Sequence, residues 1–583
     1  MREREVEENI MRLALMNAIK YGGKAKAKAV LGKLLATFPE LKSEAKELAK
    51  LTEEIVKKVN EMSSEEQKKL LEKLSPLEVP KAGKKEEKKL PPLPNVERWR
   101  KVVMRLAPFP SGPLHIGNAR MAVLNDEYVK MYSGKLLLVY DDTIGSEEKR
   151  IVPEAYEMIK EGLNWLGVKY HKTIYKSDRL PIFYKYCEEL LKRGHAYVCL
   201  CDAEEWRTKY KITGIPCPHR SQSVEENLEH WDKMLDGTYG EGEAVVRIKS
   251  GMDLEDPALR DHVIMRISER EHPRVGMKYR VWPLLEFSWA IDDHLLGITH
   301  ILRGKDLIKE DRMEQIIWKF FGWPIREFVH YGKISFKGAV LSKSKARMLI
   351  ERKILRGWDD PRTWSLQSLA KRGIRPEALR EYLLSLGLSL TDVEFDPSSL
   401  YAYNRRLIDP EAPRYFFVRE PYVLLKVHGI PDSTISVQLP YHPNVKKFGA
   451  RTINVRVIGG IAKFVIPMQD IESIMGKGGA RLKGLLNFEV VKFVKEKRIL
   501  ISKFQGYDVG FAKSKSYSII QWVLPDKCID VEIIMPDGTL VKGVGEYACK
   551  HLTVDQVIQF ERFGFVRVDR VSEDKILCYY AHD

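Results

Sequence analysis

Residues 102–120, VVMRLAPFPSGPLHIGNAR, restrict the fold of this chain more than any other stretch. Val102, Val103, Met104 and Leu106 form a short apolar run that stops at Pro108, which predicts a buried strand. Pro108, Pro110, Gly112 and Pro113 then interrupt regular structure. From Leu114 the apolar residues Leu114, Ile116, Ala119, Ala122, Val123 and Tyr128 fall at helical spacing. A strand therefore feeds a turn that opens a helix, with His115, Gly117 and Asn118 in its first turn. Unpaired N–H groups and the positive end of the helix dipole lie at the strand ends of a parallel sheet, a place for phosphate. A lone His-Ile-Gly at a helix start is more often structural than functional, so this reading needs a partner segment.

Residues 340–344, Val-Leu-Ser-Lys-Ser, supply that partner. The pair resembles the two nucleotide signatures of the class I aminoacyl-tRNA synthetases, usually written HIGH and KMSKS. The string PSGPLHIGNARMA resembles the archaeal type of the glutamyl branch, whose nearest relative is the glutaminyl branch, and the likeness extends over nearly all of the chain after about residue 95. It implies a multidomain α/β plus all-β architecture: a Rossmann-type catalytic domain with an acceptor-binding insertion, a helical connecting bundle, and C-terminal β-barrels that bind the anticodon. Val340 and Leu341 stand where the family has Lys and Met, so the phosphate contact of the family's first lysine is not carried over to this chain, whereas Lys343 keeps the second lysine.

The 583 residues suit about four domains, at roughly 150 residues each. No apolar stretch approaches the roughly 20 residues of a bilayer helix, and the charged start MREREVEENIMRL carries no export signal. Seven cysteines in so long a chain make no disulfide framework, so a cytoplasmic setting is expected. A net charge of +16 favours a polyanionic partner.

In chain order, residues 1–95 read as an N-terminal extension: amphipathic helices over 1–80, with a helix start at SSEEQKKLLEKL, followed by the charged, proline-bearing linker 81–95. A tRNA or protein partner docking on these helices is the functional reading, and a plain helical bundle is the blander and preferred one. Residues 96–198 form the first half of the catalytic domain. Its second parallel strand, LLLVY, ends at Asp141 and Asp142, of which Asp142 is read as a loop or cap residue. Residues 199–280 lack the strand–helix rhythm and read as the insertion. Cys199-x-Cys201 and Cys217-x-His219 within it offer three thiolates and an imidazole, enough for a closed tetrahedral zinc site with no water position, hence structural. The catalytic domain resumes over 281–340, with Ile298–Leu302 strand-like and Arg303 and Asp306 at its carboxyl end. Residues 341–407 hold the signature loop and the connecting helices. Over 408–583 many short β-branched runs between turn signals predict the barrels.

By resemblance, the chain ligates L-glutamate to tRNA(Glu) in two steps, through an adenylate made from ATP with Mg²⁺. His115, Asn118 and Lys343 would serve catalysis. His115, Gly117, Asn118, Asp306, Ser342, Lys343 and Ser344 would hold ATP, and Arg105, Asp141 and Arg303 the amino acid. Asp141 would take the substrate ammonium. Arg105, ten residues before His115, would take the side-chain carboxylate, because a guanidinium offers only donors. Phe109 agrees, since glutaminyl relatives carry Glu there. The family commonly has Tyr where Leu285 stands, so one pocket hydroxyl is absent and no role is assigned there. Glutaminyl-tRNA synthetase and a non-catalytic tRNA-binding scaffold are the alternatives, and the retained His115, Asp141 and Lys343 speak against the scaffold. A monomer is expected. Charging of tRNA(Gln) as well is left open.

Overall fold

The computed structural model describes residues 2–583 apart from 21–22, 39–40, 42–43, 74–89, 145–149 and 337–342. The chain divides into two units, residues 1–89 and 90–583. In the first, α1 (Arg2–Lys20), α2 (Ala27–Thr37), α3 (Ala45–Glu61) and α4 (Ser64–Lys73) follow the spacing of their apolar residues and enclose Leu13, Leu15, Val30, Leu34, Ile55 and Val59. The helix start before α4 is a reciprocal cap: Ser63 N donates to Glu66 Oε2 at 2.8 Å and Glu66 N to Ser63 Oγ at 3.3 Å. Of the linker 81–95, only 90–95 lies among the described residues.

The second unit begins with β1 (Val103–Leu106), α5 (Ile116–Met131), β2 (Lys135–Tyr140), α6 (Ala155–Trp165), β3 (Lys172–Tyr175) and α7 (Leu180–Lys192). The three strands are parallel and lie in the order β1-β2-β3. Leu136, Leu138 and Tyr140 enter one core while Leu137 and Val139 enter another, so both faces of β2 are covered. This is why the strand reads as an unbroken apolar run.

An antiparallel sheet follows: β4 (Ala196–Cys199), the single turn α8 (Ala203–Glu205), α9 (Val224–Asp236), β5 (Val245–Ile248), β6 (Val263–Ile267) and β7 (Val281–Pro283), with the strands ordered β4-β5-β6-β7. This sheet runs from Ala196 to Pro283.

Parallel pairing resumes after α10 (Leu285–Leu295) with β8 (His300–Gly304), α11 (Ile308–Phe321) and β9 (Glu327–Tyr331). The strand-like stretch Ile298–Leu302 therefore lies two residues later than its sequence pattern places it. Thr299 sets β8 against β1: its N donates to Val103 O at 2.9 Å, and Val103 N donates to its Oγ1 at 2.9 Å. The three-stranded sheet β1-β2-β3 and the two-stranded sheet β8-β9 thus lie side by side, joined at Thr299, in the order β3-β2-β1-β8-β9. This is a doubly wound arrangement whose order reverses at β1, where ligands bind at the carboxyl edge.

Beyond it come β10 (Ile334–Ser335), α12 (Lys343–Glu351), α13 (Leu366–Lys371), α14 (Pro376–Ser385), β11 (Val393–Glu394) and α15 (Pro397–Ile408). Arg372, fully buried, donates to Tyr580 O at 3.1 Å and Ala581 O at 2.7 Å, tying these helices to the last strand of the chain. The C-terminal region holds a six-stranded and a seven-stranded sheet and the hairpin Thr434–Pro440/Ala450–Arg456. Both edges of the seven-stranded sheet, Arg414–Tyr415 and Phe417–Arg419, come from the entry to the region, and its five inner strands from residues 528–582. The chain passes through the seven-stranded sheet, which lies against the connecting helices, builds the six-stranded sheet from residues 422–520 and returns. No helix among the described residues is long and apolar enough to cross a membrane.

Candidate active site

The turn between β1 and α5 is held from three sides. Asp141 N donates to Pro108 O at 3.1 Å, Val152 N to Pro110 O at 2.8 Å, and Leu366 N to Leu114 O at 2.9 Å. Gly112 has φ +150°, and a Cβ there would lie 2.8 Å from the ring of Trp358, so any side chain would displace the indole. His115 is the N-cap of α5. Its Nδ1 accepts from Gly117 N at 3.0 Å, and its own N donates to Asn118 Oδ1 at 3.4 Å. A Cβ on Gly117 would lie 2.9 Å from the His115 ring, so the glycine makes room for the imidazole. Asn118 is thus a capping residue.

The bond at Nδ1 assigns the proton of the neutral ring to Nε2, which makes His115 a donor on its other edge. Burial, with Lys343 nearby as a second cause, pushes the His115 pKa down to about 3, so it donates without carrying charge at neutral pH.

Lys343 opens α12, and its Nζ donates to Gly112 O at 3.2 Å. The two signatures therefore meet at the β1–α5 turn, although Ser342, Val340 and Leu341 lie outside the described residues. Ser344 is exposed on the first turn of α12. Asp306, in the short turn after β8, is half exposed and lies 3.4 Å from Lys333 Nζ. Burial lowers the Lys343 pKa to about 8. Its charge in the free protein is then lost as pH rises through about 8. We expect kcat/KM for ATP to fall along that limb, and Lys343→Arg to remove the limb, because a guanidinium stays protonated. A pH profile of adenylate formation unchanged by the Arg variant would show that another group sets it.

Period-two alternation along β1 sends Arg105 to the face of Leu137 and Val139, under α10. There its Nε and Nη2 bind Asp293 side-on, the second contact at 2.8 Å, with both side chains buried. Asp141, past the end of β2, receives Lys176 Nζ at 2.7 Å, and the same ammonium donates to Ser288 Oγ at 2.7 Å. Burial pushes the Asp141 carboxyl up, against the pull of Lys176 and Arg105. Arg303, in β8, reaches Asp311 through Nε at 2.8 Å and Glu314 through Nη2 at 2.7 Å. Burial raises the Glu314 pKa to about 7. Arg105, Lys176 and Arg303 all lie over the ring of Trp289, at 5.3, 5.3 and 5.1 Å from its centroid. Asp142, by contrast, is fully engaged: it accepts from Tyr156 Oη at 3.0 Å, Ser177 N at 2.9 Å and Ser177 Oγ at 2.7 Å. Leu285 opens α10 as a half-buried apolar residue.

The structure thus gathers Arg105, Asp141 and Arg303 into one buried cluster, and His115, Asn118 and Lys343 at the adjoining turn. It adds Lys176, Trp289, Asp293, Asp311 and Glu314. A signal for one of these was present: adjacent Asp292 and Asp293 inside an apolar helix require buried cations. Asp292 has Arg179 at 2.7 Å, and Asp293 has Arg105.

Cys199 ends β4, Cys201 follows it, and Cys217 and His219 begin a short helical turn. The donor atoms of all four lie within 4.8 Å of one another, with Cys199 and Cys217 Sγ 4.0 Å apart and Cys201 Sγ 3.4 Å from His219 Nδ1. A tetrahedral zinc with bonds of about 2.3 Å to sulfur has edges of about 3.8 Å, so the residues fit one ion and leave no open position.

Residues 101–410 match the family described as tRNA synthetases class I (E and Q), catalytic domain, and residues 412–505 and 519–569 match its two anti-codon binding domains. A glutamate–tRNA ligase of Methanopyrus kandleri is 43% identical over 583 residues, covering 100% of both chains. Those of Pyrococcus furiosus and Methanocaldococcus jannaschii are 44% and 43% identical, each covering 99% of this chain and 100% of their own.

Proposed function

Because the chain belongs to the class I tRNA synthetases of the glutamate and glutamine type, we propose that it activates glutamate with ATP and transfers it to tRNA(Glu). The observation that carries this reading is the meeting of His115 and Lys343 at the β1–α5 turn, beside a buried guanidinium and carboxylate at the same sheet edge. MgATP, as substrate, would bring its phosphates to this turn. The glutamate carboxylate attacks the α-phosphate in line and pyrophosphate leaves, giving glutamyl-adenylate; a terminal ribose hydroxyl of the tRNA then attacks its acyl carbon, and AMP leaves.

His115 Nε2–H donates to phosphate oxygen, and Lys343 offsets the charge that grows on the departing pyrophosphate. The substrate carboxylate is already ionised near pH 7, so no general base is needed. Asp141, already facing the Lys176 ammonium, holds the substrate ammonium, and Arg105 faces the side-chain carboxylate. Both anti-codon binding domains belong to the reading as the surface for the tRNA.

Cys199, Cys201, Cys217 and His219 would hold a structural zinc that cross-links the end of β4 to the following loop. Purified protein should carry about one zinc per chain by metal analysis, and Cys201→Ser should lower its Tm. Zinc-free protein prepared without chelators, with an unchanged Tm for the variant, would remove the metal from this reading.

The function itself is tested by charging tRNA(Glu) with glutamate and with glutamine in parallel, alongside ATP–pyrophosphate exchange in the presence of tRNA. Glutamate alone should be used. Equal use of glutamine, or no exchange with either, would overturn the assignment. The same assay with tRNA(Gln) decides whether it is a second substrate.

A further inference from the structure

An arginine has two planar edges that can grip a carboxylate: side-on, through Nε and one Nη, and end-on, through both Nη atoms. In Arg105 the side-on edge is taken by Asp293. Among the described residues no acceptor bonds its Nη1, so the end-on edge is the one left for a ligand. We propose that Asp293 is a positioning residue that fixes the Arg105 plane and reserves this end-on edge for the side-chain carboxylate of the substrate, so that an acid on α10 sets amino-acid selectivity without touching the amino acid. This rests on the assignment of Arg105 to the substrate.

Three observations favour a positioning role over simple charge compensation. The contact is two-pronged, which fixes the rotation of the guanidinium as well as offsetting its charge. Asp293 is itself held in place, fully buried on the interior face of α10. One turn earlier on the same helix, Trp289 lies against the guanidinium, its ring centroid 5.3 Å from Arg105 Cζ, as a residue four positions away on one helix face should. Acid and indole thus constrain two different directions of one cation, and α10 carries both.

Chemistry then decides the ligand. A neutral Arg–Asp pair exerts little net pull on a distant anion, so it discriminates through its donors at contact. An end-on edge with two parallel N–H groups matches two carboxylate oxygens, whereas a primary amide would turn its own N–H₂ toward one of them. A swivelled guanidinium keeps the charge and loses the match.

The test uses the full-length protein with Asp293→Asn and Asp293→Glu. In each variant, KM and kcat for glutamate, inhibition by glutamine, KM for ATP and Tm are measured. Asp293→Asn presents an amide N–H₂ to a donor and should rotate the guanidinium. KM for glutamate is expected to rise about 10²-fold, as for a misplacement of about 1 Å, with KM for ATP unchanged and weaker discrimination against glutamine. Asp293→Glu keeps the acid and should restore part of the loss. If Asp293→Asn does not fold, Asp293→Glu decides alone, since a longer acid retains the charge and shifts the plane: a raised KM for glutamate at near-native Tm supports positioning. A lowered Tm with unchanged KM and selectivity in the variants that fold would leave Asp293 as charge compensation only. If Arg105→Lys is silent as well, the assignment of Arg105 fails rather than the role of Asp293.

Discussion

Lys343→Ala is expected to slow adenylate formation by about 10²–10³-fold, equivalent to about 2.7–4 kcal/mol, the range for loss of one donor to a developing oxyanion. The Kd of ATP should change far less. Lys343 Nζ reaches Gly112 O in the protein without ligand, so its side chain is already placed over the turn that precedes the His115 cap. An ATP ground state carries its charge dispersed over three phosphates and offset by its cation. Charge concentrates on the departing pyrophosphate only as the bond breaks, so a nearby ammonium acts mainly there. His115, neutral at working pH, cannot replace that charge. ATP–pyrophosphate exchange with tRNA present, set beside equilibrium ATP binding, separates the two quantities. Equal losses in both would make Lys343 a ground-state contact and shift the burden to the remaining residues of the loop.

The parts of this site legible in the sequence share one property: their signal is local. The β1–α5 turn shows because apolar residues stop at Pro108 and resume at helical spacing from Leu114. The four metal-type ligands show because two close pairs bracket one loop. What the sequence does not show is partnership across the fold. Arg105 and Asp293 are 188 residues apart, and Lys176 and Ser288 are 112 apart. Each pairing exists only because the sheet order β3-β2-β1-β8 carries α10 over the ends of β1 and β2.

Gly117 is a related case. The resemblance places it in the nucleotide site, and the structure shows the His115 imidazole filling the space a Cβ would need. A backbone position freed for one purpose reads the same in sequence as one freed for another. The seven-stranded sheet is the largest departure from chain order, since its edge strands come from residues 414–419 and its interior from 528–582. Runs of short strands predict barrels, and they do not reveal which runs close together.

The last result expected is for Arg105→Lys. It should reduce kcat/KM for glutamate by about 10²-fold or more, although the charge is kept. A guanidinium can hold Asp293 side-on and a substrate carboxylate end-on in one plane. An ammonium is a single point with three donors, and cannot offer two parallel forks. In the buried site the substituted lysine would either stay with Asp293, leaving the substrate carboxylate without a donor, or turn to the substrate, leaving Asp293 as an unpaired buried acid. The second is costly, because removing one partner of a buried pair costs about 3–5 kcal/mol, and the first removes recognition. Selectivity should fall with activity. Glutamine, whose amide needs no fork, loses less than glutamate, so the ratio of the two kcat/KM values is the sharper readout. A polar mismatch in a site built around a given hydrogen bond reaches about 10⁴-fold, and a bidentate arginine is such a site. If Arg105→Lys leaves both the rate and the glutamate-to-glutamine ratio intact, then Arg105 and Asp293 are an ion pair of the fold alone. The side-chain carboxylate must then be read by another cation, of which Lys176 and Arg303 over the same indole are the two at hand.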